Sequence, residues 1–135
     1  MPYDQARLRK TRKICNKVMK GIRDYKIILL NELYNSSKKH CDAAIMFQLC
    51  GNNVVIFLEE AKSLDIKDDI EKLEKSINDL PSELNIPDNT ITMPVMHKTR
   101  RMKRNIIQII KSNKIKGQPI IVMGCQERII DKITL

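Results

Sequence analysis

The chain has 135 residues, 42% hydrophobic and 30% charged, with no tryptophan and a formal net charge of +9. That length suits one domain, residues 1–135, with a core of its own, and the apolar content excludes compositional disorder. Tyr3, Tyr25, Tyr34, Phe47 and Phe57 are too few rings for a site stacking several bases, and no apolar run approaches bilayer length.

Residues 6–24 are predicted to be an amphipathic helix. Leu8, Cys15, Val18 and Ile22 share a face, Asp4 caps the start, and Gly21 weakens the last turn. Residues 26–30 (KIILL) are predicted as a buried strand. Asn35, Ser36 and Ser37 then offer caps for a helix over 37–50, with Cys41, Ala44, Ile45, Gln48 and Leu49 inward and Gly51 as its left-handed stop. Residues 54–58 (VVIFL) form a strand buried on both faces.

The clearest helical pattern is 65–79. Ile66, Ile70, Leu73, Ile77 and Leu80 step by four and three, Asp65 caps the start, and Glu71–Lys75 is a favourable pair. Pro81 ends this helix. Residues 90–95 are a weaker strand, and Pro94 places it at an edge or strand end. A basic helix over 97–113 follows, then a turn at 114–117, a strand at 119–123 and a half-buried helix at 126–133. The order is α-β-α-β-α-β-α-β-α. It predicts an α/β fold, a mostly parallel sheet of about four strands sandwiched by helices, with right-handed crossovers. In layout this resembles the small α/β RNA-binding domains of ribosomal proteins. Their glycine–asparagine–glutamate signature at a strand–helix turn is absent, so no residue roles carry over.

Charge is sorted along the chain. Residues 1–40 hold eleven Lys/Arg against three Asp/Glu, residues 41–90 four against eleven, and residues 91–135 ten against two. Two basic blocks draw a polyanion, and each neutralised phosphate releases counterions. The binding candidates on the first helix are Arg9, Arg12, Lys13, Lys17 and Lys20. Lys38 and Lys39 form a smaller patch. Lys98, Arg100, Arg101, Lys103 and Arg104 crowd a helix start, where backbone N–H groups add to an anion site.

The expected partner is therefore structured RNA, ribosomal RNA included, within a ribonucleoprotein that brings ribosomal proteins close. The setting is cytoplasmic, with no membrane. The rival reading is a protein–protein interaction module or regulatory subunit using the acidic helix 65–79. No catalytic residue, metal or cofactor is predicted. Phosphate-loop and nucleophile-elbow motifs are missing, and two histidines leave few general bases. Cys15, Cys41 and Cys125 fall beside apolar positions and are expected to be buried free thiols.

Overall fold

A computed structural model describes residues 4–34, 38–61, 65–98 and 102–133. It is a small α/β domain built on a five-stranded mixed sheet. The described elements are α1 (Gln5–Val18), β1 (Tyr25–Leu29), α2 (Leu30–Leu33), β2 (Ala43–Leu49), β3 (Asn52–Ala61), α3 (Ile66–Glu83), β4 (Ile91–Lys98), α4 (Arg104–Ser112), β5 (Lys114–Ile115), β6 (Gln118–Pro119) and β7 (Ile121–Met123). A single 3₁₀ turn covers Ile129–Asp131.

The main sheet runs β1-β2-β3-β4-β7. Strands β1, β2 and β3 form an antiparallel meander, while β4 pairs parallel with both β3 and β7. The sheet is therefore mixed, contrary to the parallel expectation, and the predicted alternation breaks at residues 37–50. That stretch gives β2 instead of a helix. Both sheet faces are covered, so Ala43, Ile45 and Phe47 pack to one side while Ala44 and Met46 pack to the other. A strand buried on both faces loses its two-residue alternation and imitates a buried helix. Gly51 is left-handed as expected, but so is Cys50, and together they close the β2–β3 hairpin.

Other boundaries shift for local reasons. Asp4 does cap α1, accepting from the Ala6 N–H at 2.9 Å, but the helix stops at Val18. Asp65 caps α3, accepting from the Asp68 N–H at 3.1 Å. This helix continues through Pro81 to Glu83, and the Pro81 carbonyl accepts from Ile86 N–H at 2.8 Å. Pro94 lies inside β4, yet β7 pairs only with Val95, Met96 and His97, so at Pro94 that flank is still an edge. The predicted helix 97–113 gives up His97 and Lys98 to β4 and begins at Arg104. The last helix shrinks to the 3₁₀ turn, and 114–119 is a small hairpin.

Two cores lie on opposite sides of the sheet. Ile14, Cys15 and Val18 of α1, with Met19 just after it, pack on Ile45, Ile56, Leu58 and Val95. Leu73, Ile77 and Leu80 of α3, with Ile110 of α4, pack on Ala44, Val55, Phe57 and Met96. Among the described residues no helix is long and apolar enough to cross a membrane.

Candidate functional site

The carboxyl ends of parallel strands are where open α/β sheets gather ligands, because loops diverge there. In this molecule that end carries buried carboxylates. Strand β3 continues past its apolar run into Glu59 and Glu60, both buried. Alternation sends Glu60 to the α1 face and Glu59 to the α3 face, where Lys72 approaches it at 3.9 Å. Strand β2 runs antiparallel to β3, so the residue entering it, Asp42, arrives at the same end. Its backbone N–H donates to the Leu58 carbonyl at 3.0 Å.

Asp42 and Glu60 are tied together. Asp42 Oδ2 accepts from the Glu60 backbone N–H at 2.9 Å, and Asp42 Oδ1 accepts from Asn31 Nδ2 at 3.2 Å. Asp42 is 3% exposed and Glu60 7%, so two carboxyl groups share a nearly dry site. Burial, and then the Asp42 charge, push the Glu60 carboxyl above its ordinary range.

Helix α1 closes the site with cations and a hydroxyl. Arg7 Nη2 lies 3.7 Å from Asp42 Oδ1, and Lys10 Nζ lies 3.8 Å from Glu60 Oε1. Thr11, buried on the helix underside, shares its single hydroxyl proton between the Arg7 carbonyl at 3.1 Å and Glu60 Oε2 at 3.4 Å. Beneath them, Cys15 has its thiol pushed up to about 12 by burial and by the Asp42 and Glu60 charges. His97, the register partner of Glu60 on β4, is also buried, and among the described residues its Nδ1 has no hydrogen-bond partner. Burial and Lys17 lower its pKa, against the pull of Glu127.

Chemically this is a compact acid pair under a basic helix. Two carboxylates retain lone pairs beyond those used, and oxygen donors of this kind are the ones a hard divalent cation takes. Among the described residues no set of three His, Cys, Asp or Glu side chains gathers as a ready-made metal cage. Comparison of the chain with protein-family models, with curated proteins and with solved structures finds no match in any of the three.

The sequence-predicted cations divide. Arg9, Arg12, Lys13 and Lys17 stand exposed on α1, and Lys20 on the turn that follows it. Lys98 ends β4 as the partner of Ala61, at the same sheet end as Glu60. Lys103 and Arg104, both exposed, open α4, and Lys103 makes no side-chain cap bond. Arg100 and Arg101 lie outside the described residues. Lys38 and Lys39 are not bare: Lys38 binds Glu83 at 2.6 Å, and Lys39 binds Asp68 at 2.8 Å and Glu71 at 3.0 Å. Cys15 and Cys41 are buried free thiols, as expected. Cys125 is exposed, because it falls just after β7 rather than within it.

Sequence reasoning missed Asp42, Glu60 and Thr11. The signal for Glu60 was a pair of charged residues directly continuing an apolar strand, which reads as the strand's end when burial is unknown; Asp42 and Thr11 carried none.

Proposed function

We propose that this protein binds structured nucleic acid by its phosphates and hydrolyses the backbone at the Asp42–Glu60 pair with a divalent cation. The observation that carries this reading is the buried acid pair under the Arg7, Lys10 and Thr11 face of a helix whose other side is cationic. A cation held there would polarise a phosphate oxygen and lower the pKa of a bound water. Asp42 and Glu60 would supply its protein oxygens, with Asn31 and Thr11 fixing their orientation. Arg7 and Lys10, which balance the pair's charge, would turn to phosphate oxygens as substrate arrives. In the reaction the water oxygen bonds to phosphorus, one bridging P–O bond breaks, and the proton goes to the leaving oxygen.

This adds a reaction to the binding role expected from sequence. Association with a ribonucleoprotein such as the ribosome rests on the same exposed cations. The acidic-helix alternative is weighed down by geometry, since Asp68, Glu71 and Glu83 already hold Lys38, Lys39 and Lys72.

The test is a cleavage assay on an end-labelled RNA hairpin and a DNA duplex, with Mg²⁺ or Mn²⁺ and with EDTA. Cleavage is expected with metal only. Asp42→Asn and Glu60→Gln are each expected to lower it by at least about 100-fold, the upper end of what residues merely supporting a metal site cost. Cleavage by wild type that the Asp42 and Glu60 variants retain would sink this reading.

A further inference from the structure

We propose that the outward stripe Arg9, Lys13, Lys17 and Lys20 of α1 and its C-terminal turn is a track for the phosphate backbone of a nucleic-acid duplex, holding substrate without any divalent cation. The inference rests on the acid-pair reading for what happens at the far end of the track, and on separate observations for the track itself.

Helix α1 has two kinds of cation. Arg7 and Lys10 lean inward onto Asp42 and Glu60. Among the described residues those are the only ion pairs α1 makes; the outward cations have no carboxylate partner. The helix contains no acidic residue, and Asp4 before it is engaged as the cap. Spacings of four, four and three residues keep the stripe on one side, each step of four climbing about 6 Å along the axis. Like charges at that spacing repel, which destabilises an isolated helix. A polyanion laid along the stripe removes that repulsion and releases its own counterions.

The chemistry also selects the form of nucleic acid. Helix α1 carries no aromatic ring, so it offers unpaired bases nothing to stack on. Contacts limited to phosphate suit a duplex, whose bases already stack on each other. The track is continuous with the acid pair: Arg9, Lys10 and Lys13 border one shallow groove on α1, and Lys10 reaches Glu60. Arg9 and Lys13 would set a strand's phosphates along the helix, one turn from the position where Arg7 and Lys10 would receive them.

The test measures fluorescence anisotropy of a labelled DNA duplex, an RNA hairpin and an unpaired DNA strand in EDTA across a salt series. The proteins are wild type and the combined Arg9→Gln, Lys13→Gln, Lys17→Gln, Lys20→Gln variant, with circular dichroism to verify the fold. Wild type is expected to bind one or both with a log–log salt slope near about −3.6, four contacts at roughly 0.9 each on a duplex. The variant is expected to lose most of that slope, and single substitutions to lose about 0.9 each regardless of sequence. An unpaired strand bound as tightly as duplex, a slope the variant keeps, or no binding at low salt would overturn the track. The two readings separate cleanly. Intact binding without cleavage removes the acid-pair reaction and leaves the track supported. Intact cleavage with unchanged binding in the variant removes the track and leaves the acid pair.

Discussion

At the scale of single residues, burial decides which side chains react. Cys15 is pushed up to about 12 chiefly by burial, and Cys41 is also raised, again mainly by burial. Cys50 and Cys125 are exposed. A thiol-reactive probe at neutral pH should therefore label two cysteines per native chain quickly and all four only after denaturation. Rapid labelling of three or more in the native state would contradict the packing of α1 or of the chain before β2. Burial also explains why Asp42 and Glu60 were illegible as a pair: Glu60 follows VVIFL so closely that the charge reads as a surface boundary. Its pairing with His97 on β4 and the hydrogen bond from its own N–H to Asp42 reveal that the strand continues.

At the scale of elements, the chain before β2 is held across α3 by a strap. Cys41 N–H donates to Ser76 Oγ at 2.8 Å near the helix middle, and the two lysines before it splay along the helix in opposite directions. Lys38 reaches Glu83 and Lys39 reaches Asp68 and Glu71. These lysines hold the Glu83 and Asp68 carboxyls below their ordinary range, through hydrogen bonds first; Tyr34 adds to Glu83 and Lys72 to Asp68. A carboxyl lowered by folding stabilises the native state above its unfolded pKa, and that stability is lost as pH falls through the folded value. Urea midpoints should thus drop on acidification below about pH 4, and Lys38→Ala with Lys39→Ala should flatten that limb. An unchanged limb would show that the strap carries no net stability. The β2–β3 turn gives a second prediction. Cys50 sits at φ 52 beside Gly51 at φ 79, a pair of left-handed residues that asparagine–glycine occupies with least strain. Cys50→Asn should raise stability by roughly up to 1 kcal/mol in thermal unfolding; a fall would mean that the thiol makes a contact worth more than the strain.

At the scale of the whole molecule, what the sequence revealed follows exposure. Amphipathic α1 and α3 were readable because one face meets water, and their caps, Asp4 and Asp65, lie where capping chemistry puts them. Strand β2 was not, since helices cover both its sides. That one inversion turned a meander into a supposed crossover and a mixed sheet into a parallel one. The charge blocks divide: Lys10 of α1 pairs with Glu60 and Lys98 ends β4 at that same sheet end, while Lys38 and Lys39 are absorbed by the acidic helix they were set against. The measurement that bears most directly on the account is a crystal structure of the protein with Mn²⁺ and a non-cleavable duplex, read by anomalous scattering. The account predicts a manganese peak at about 2.2 Å from carboxylate oxygens of both Asp42 and Glu60, with a phosphate oxygen and waters filling the rest of its shell. A complex in which the duplex is seated on α1 and no metal lies between those two side chains would contradict it.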